Sequence, residues 1–281
     1  MTEDPAAPVD RAHGLPARRA ESDRRRRVIR SGDAASIKRI YLDYGEELLR
    51  AHHADPSGVP LLSLPQTGPV VVGLLDHASG LVLDAGCGPK PAVAVGLTGP
   101  SRRVVAMDIA HPIACLARAA TADDGGSPLL FVVGDLENVP FRNGCFDAVV
   151  CDDTIEHVPD DRAAAAELAR VTTAGGRVVV ATPNRWSLAI VVAKLRDTVK
   201  RRRREPAHYY VADSHLREYT RRELMTLLRP HFLVRRWATV AWPGGVVQRL
   251  AGLLTALPVL RSFNQMLVVE VEPRPRRELA D

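Results

Sequence analysis

Residues 81 to 90, LVLDAGCGPK, place an acid and two alternating glycines directly after an apolar run. Such a run, breaking at Gly86 and Gly88, describes a buried strand that opens into a turn where a ligand can approach the backbone with no Cβ in the way. The acid is Asp84, at the carboxyl end of that strand. A phosphate cradle favours a helix N-terminus without carboxylates, whereas an acid here suits a ligand with an ammonium or sulfonium centre. The loop therefore points to S-adenosylmethionine. A dinucleotide site is the competing expectation, although Pro91 falls where the third glycine of G-x-G-x-x-G would stand.

These residues need elements to hold them. From Val82 onward, short apolar runs alternate with helical stretches: VVAMD (104 to 108), IACLARAA (113 to 120), LLFVVGD (129 to 135), FDAVVCD (146 to 152), AAAAELARV (163 to 171) and GRVVVATP (176 to 183). Apolar strands separated by helices predict parallel strands buried on both faces. Thr220 before RRELMTLLR, with Glu223 three residues on, predicts a capping box. Two late runs, FLVRRWATVAW (232 to 242) and NQMLVVEVE (264 to 272), add strands that fit an antiparallel edge.

Before this region, IKRIYLDYGEELLR spaces Ile37, Ile40, Tyr41, Tyr44 and Leu48 as one helical face, ended by proline-rich sequence from 56 to 69. The expected organisation is a disordered basic tail over 1–30, a helical N-terminal cap over 31–75, and one α/β domain over 76–281. Within that domain, 186–219 form a lid or acceptor insertion. The chain has 281 residues, 46% of them hydrophobic and 25% charged, which suits a globular domain with a cap. Its four cysteines lack metal-type spacing, and no signal sequence or spanning run is evident, so the expected setting is cytoplasmic.

The ordered set LVLDAGCG, VVAMD, VVGDLENVPF and CDDTIEHV resembles the class I S-adenosylmethionine-dependent methyltransferases, in particular the type 11 group similar to enzymes of ubiquinone and menaquinone biosynthesis. The resemblance covers roughly residues 75 to 235 and implies a Rossmann-like, seven-stranded, mostly parallel sheet with helices on both faces. It implies that Asp84 lies near the sulfonium and amino acid end of the cofactor, with Gly86, Cys87 and Gly88 lining it. Lys90 stands where the family has its third glycine. By the same resemblance Asp108 takes the ribose hydroxyls and Ile109 packs on adenine. Asp135 receives the adenine amino group, Leu136 covers the ring, and Cys151 and Asp152 meet the methionine half. The Asn/Asp-Pro-Pro-aromatic tetrapeptide of nucleic-acid amino-methyltransferases is missing after the fourth strand, which argues against base methylation.

Methyl transfer from a sulfonium is an in-line displacement, so positioning and desolvation carry most of the rate, and only a hydroxyl acceptor also needs a base. His157, His208 and His215 are the candidate bases or acceptor contacts. Glu218 and Tyr219 read as framework. Asp152, Asp153 and Asn184 only loosely resemble catechol-type magnesium sites, and no metal is assigned.

Residues 194 to 204, KLRDTVKRRRR, hold seven Lys or Arg and one Asp, 7 − 1 = +6, against +5 for the whole chain. Following the apolar WSLAIVVA, this run reads as a solvated linker or as a contact with an anionic membrane surface. Nucleic acid is disfavoured, since no aromatic residues interleave the arginines. The stretch 246 to 260 covers a sheet edge or walls a greasy acceptor. The expected activity is O-methylation of a small or lipid-like metabolite, with C-methylation of a quinone or polyketide-like acceptor as the alternative. An NAD(P)-dependent oxidoreductase and a non-catalytic nucleoside-binding protein are the remaining readings.

Overall fold

The protein is described by a computed structural model, covering residues 28–29, 31–55, 67–122, 129–187, 215–240 and 266–275. His208, the basic run 194–204, the stretch 246–260, nearly all of the 1–30 tail and most of the 186–219 insertion lie outside the described residues.

The alternating apolar runs form one seven-stranded sheet, in the order β3-β2-β1-β4-β5-β7-β6. Its strands are β1 (Gly80–Ala85), β2 (Arg102–Asp108), β3 (Leu129–Val133), β4 (Phe146–Asp152), β5 (Thr172–Pro183), β6 (Phe232–Val240) and β7 (Met266–Pro273). β1 to β5 pair in parallel, and β7 runs antiparallel between β5 and β6, as the two late runs predict. Because successive side chains point to opposite faces, each central strand feeds two cores. Leu83, Val105, Met107, Val149 and Val180 face one side, while Val82, Val104, Ala106, Val150 and Val179 face the other. The first core packs under α5 (Asp161–Val171) and α6 (Arg221–Leu228), and the second under α2 (Gly68–Leu74) and α3 (Ala92–Leu97).

Strand order reverses between β1, whose chain continues to β2 on one side, and β4 on the other. Ligands of open α/β sheets bind at such a switch point, beyond the carboxyl ends of the strands. The LDAGCG turn lies there, at the end of β1.

α1 (Ala34–Ala54) starts at Asp33, whose side chain accepts the Ser36 N–H, and packs on α4 (His111–Ala120). The buried face of α1 differs from the expected one. Tyr44 is exposed, and Gly45 is the contact, with room for a Cβ only 3.2 Å from Ala110 and Ile113. A glycine at that point lets the two helices approach closely. Thr220 caps α6 with the reciprocal Glu223 bond, as its spacing predicts. β5 begins at Thr172 rather than near Gly176, because pairing with β4 continues past an irregularity between Phe146 and Ala148. Two helices were not legible: α2 follows the proline-rich segment, and α3, AVAVGL, has the valine content of a strand.

Candidate functional site

The turn after β1 is hooked to the end of β2 by the Gly86 and Cys87 N–H groups, which both donate to the Met107 carbonyl at 2.8 and 3.0 Å. Gly86 has φ +93° and Gly88 φ +62°, conformations that L side chains rarely adopt. Their surroundings differ. A Cβ on Gly86 would lie 2.2 Å from the Thr154 hydroxyl, whereas a Cβ on Gly88 would meet nothing within 4 Å among the described residues. The first glycine seals the turn against the β4 side, and the second is uncrowded by any described residue.

Carboxyls from three strands converge on this turn. Asp84, almost fully buried in β1, has its ionisation pushed up to about 7, first by burial and then by the charge of Asp152, against a hydrogen bond from the Ala94 N–H. Asp152, at the end of β4, is likewise pushed up to about 7 by burial, although the Thr67 hydroxyl donates to its Oδ2 at 2.6 Å and favours the charged form. Asp108, at the end of β2, is raised chiefly by burial, while Oδ2 accepts the Gly88 N–H at 3.2 Å and Oδ1 the Ala110 N–H at 3.0 Å. The Ile109 N–H also bonds to the Asp108 carboxyl and favours its charged form. Cys87 and Cys151 are buried thiols raised by burial, so they act as small apolar walls. Ile109 follows Asp108 directly, and Leu136 is buried beside β2.

A second group sits beyond β4. Glu156 and His157 lie in a 3-10 turn, Ile155–His157, and α5 begins only at Asp161. Asp153, just before it, has φ +51°, an uncommon conformation for a non-glycine residue. Its N–H donates to Ala181 at 2.9 Å, which holds that geometry. Glu156 is fully buried; burial, then the charge of Asp153, holds its carboxyl well above the usual range, and its Oε2 accepts the Thr182 hydroxyl at 2.9 Å. His157 shares a 2.8 Å hydrogen bond between Nδ1 and the Tyr41 hydroxyl, and its ring stands edge-on to that of His215, centroids 4.8 Å apart. Two of the candidate histidines are thus neighbours. Glu156, His157 and His215 each bring a ligand atom within 4.8 Å of the others, a set that could hold a cation.

The segment carrying His215 is anchored firmly. Leu216 N–H donates to the Glu156 carbonyl at 3.0 Å, and Arg217 donates to the Val158 and Pro159 carbonyls, each at 2.8 Å. Tyr219 is buried with its hydroxyl 2.7 Å from Asp161, in keeping with a framework role. Asp135 lies in the turn after β3, where its carboxylate accepts the Glu137 N–H at 2.9 Å and an ion pair from Lys38 at 2.6 Å.

Tyr41, Thr67, Thr154 and Lys38 were not singled out from the sequence. Tyr41 reads as a member of the apolar face of α1, and the other three touch partners 66 or more residues away, for which a single sequence carries no signal.

The doubly wound sheet, with the acid-rimmed turn at its switch point, is the Rossmann-like fold of methyltransferases among the solved structures. Residues 83–180 match the family described as a methyltransferase domain. The chain is 31% identical over 141 residues to a ubiquinone biosynthesis O-methyltransferase of Xanthomonas oryzae, a stretch covering 50% of this chain and 59% of that protein. It is 34% identical over 125 residues to a protein of transposon TN4556 from Streptomyces fradiae, covering 43% and 35%. The matched stretch therefore spans between about a third and three fifths of these relatives' lengths. Among solved structures, the magnesium protoporphyrin IX methyltransferase of Synechocystis aligns with a TM-score of 0.54 at 18% identity, over 74% of this chain and 82% of that one. The YcgJ protein of Bacillus subtilis aligns at 0.51, also at 18% identity, over 74% and 99%. At this identity the structures bear on the fold.

Replacing Tyr41 with Phe keeps the ring and removes the hydroxyl that orients His157. Cofactor affinity should stay within about twofold of wild type, while turnover with a hydroxyl acceptor falls roughly tenfold or more. Titration calorimetry and steady-state rates separate the two effects, and unchanged turnover would remove the Tyr41–His157 pair from catalysis.

Proposed function

We propose that the protein transfers the methyl group of S-adenosylmethionine to an oxygen of a small or lipid-like metabolite. The observation that carries this reading is the convergence of Asp84, Asp108 and Asp152 on a turn whose Gly88 has no described residue within 4 Å of where a Cβ would stand. Three carboxyls, none of them paired with a cation among the described residues, suit a ligand that brings its own cationic sulfonium and ammonium centres. In this reading Asp84 and Asp152 face the methionine half, Gly86, Cys87 and Gly88 line it, and Asp108 accepts the ribose hydroxyls. Ile109 and Leu136 enclose adenine, with Asp135 on its amino group.

Transfer to oxygen is supported by the pair His157 and His215, the first of which donates its backbone N–H to the carbonyl of Thr154, a residue that packs on Gly86. The acceptor O–H gives its proton to an imidazole nitrogen as the oxygen attacks the methyl carbon. The C–S bond breaks and its electron pair stays on sulfur, which becomes a neutral thioether. The name of the Xanthomonas relative, an O-methyltransferase of ubiquinone biosynthesis, supports a phenolic or quinol-like acceptor. No helix among the described residues is long and apolar enough to cross a membrane.

The test is the melting temperature with S-adenosylhomocysteine and, separately, with NAD and NADP, since a ligand bound only by the folded state stabilises it. At about 100 times its Kd, S-adenosylhomocysteine should add about 2.7 kcal/mol, a rise of several degrees. A rise with a nicotinamide nucleotide alone would overturn the assignment.

A further inference from the structure

Lys38 belongs to α1, yet its ammonium donates to Oδ2 of Asp135, at 2.6 Å, and to a carboxylate oxygen of Glu137. The other Asp135 oxygen accepts the Glu137 N–H, and the other Glu137 oxygen accepts the Asp160 N–H at 2.8 Å, just before α5. Glu137 is thus a fixed post at the start of α5, and Lys38 is clasped between it and Asp135. α1 is itself seated by Ile37, Ile40 and Gly45, the last against Ala110 and Ile113, next to the end of β2. Burial works against the charge on Lys38, but the two carboxylates outweigh it and hold the ammonium above its ordinary range.

Two acids separated by one residue repel each other, and an Asp135 carboxylate without a counter-charge would turn towards water. With Lys38 on Oδ2 and the turn N–H on Oδ1, its remaining lone pairs have a set direction. We propose that Lys38 is a positioning residue for base recognition, aiming Asp135 at the amino group of a 6-aminopurine and so making α1 part of the cofactor site's selectivity. This rests on the methyl-transfer reading, which seats adenine at Asp135.

The experiment compares binding of S-adenosylhomocysteine with that of its analogue lacking only the 6-amino group. The wild-type protein should prefer the amino form about tenfold or more, the size of one hydrogen bond to a charged group. In Lys38→Met the preference should shrink to within about twofold, with the affinity for the 6-deamino analogue nearly unchanged, and Lys38→Arg should restore most of it. Should Lys38→Met fail to fold, Lys38→Gln is read in the same way. A lysine that only docks α1 would leave the base preference intact in either variant, and that result overturns the inference alone. Equal binding of the two ligands by the wild-type protein would remove adenine from Asp135 and overturn the inference together with that placement, while a thermal shift with S-adenosylhomocysteine would still uphold the methyl-transfer reading.

Discussion

Gly86→Ala should cost about 3 kcal/mol or more of folding stability, whereas Gly88→Ala should cost about 1 to 2 kcal/mol and yet lose most of the ligand affinity. Both positions have positive φ, so both variants carry the backbone penalty of an L residue in that region. Only at Gly86 does a Cβ also overlap its surroundings, at 2.2, 2.4 and 2.8 Å from three atoms of Thr154. Thr154 cannot yield easily, because its hydroxyl donates to the Asp152 carbonyl at 2.9 Å. At Gly88 the methyl group would meet no described residue within 4 Å, on the side where the proposed nucleoside and its methionine chain would lie. Denaturant melts should rank the variants wild type, Gly88→Ala, Gly86→Ala. Calorimetry with S-adenosylhomocysteine should show Gly88→Ala binding at least tenfold more weakly. Gly86→Ala combined with Thr154→Gly should recover the part of the loss due to overlap and retain the part due to φ. Unchanged affinity in Gly88→Ala would mean that the ligand does not approach this turn.

That contrast marks where sequence reasoning reaches its limit. The pair Gly86 and Gly88 was legible as a turn because glycine's freedom is a property of the residue itself. Their different tasks were not, because they depend on Thr154, 68 residues away from Gly86. The same division holds through the fold. β4 was legible to the residue, since FDAVVCD is bounded by its own composition. The Thr220–Glu223 box was legible because both partners lie within one helical turn. α3 was not, because AVAVGL has no helical period of its own and is helical under the packing of α2. Apart from His208, which lies outside the described residues, the site residues brought forward from the sequence are strand ends and turn or loop residues. Lys38, Tyr41 and Thr67 enter the site from the N-terminal helices, and only the tertiary structure reveals what they touch.

S-adenosylmethionine should bind more tightly as pH rises from 6 to 8, and its binding below pH 7 should release protons. Asp84 and Asp152 are both pushed up to about 7, by burial first, with the charge of Asp152 adding to the rise at Asp84 and that of Asp153 to the rise at Asp152. At pH 6 both carboxyls are mostly neutral, and a cationic ligand binds the ionised forms, so each that must ionise costs about tenfold in Kd per pH unit below its own value. The expected slope lies between one and two decades per unit from pH 6 to 7 and flattens above pH 8. S-adenosylhomocysteine, with an ammonium but no sulfonium, should show the weaker slope of the two. The ligand-free protein should behave oppositely. Its two folded values stand above the unfolded value of about 3.9, so their contribution to stability is fully present below about pH 4 and is lost as pH rises through 7. Asp84→Asn removes one of the two charges without changing shape. It should leave the ligand-free protein at least as stable as wild type at pH 8, weaken binding of the sulfonium ligand more than tenfold, and flatten the slope. Calorimetry in buffers of different ionisation enthalpy counts the protons released. A Kd for S-adenosylmethionine that is flat from pH 6 to 8, with no proton release, would mean that neither carboxyl meets the cationic end of the ligand.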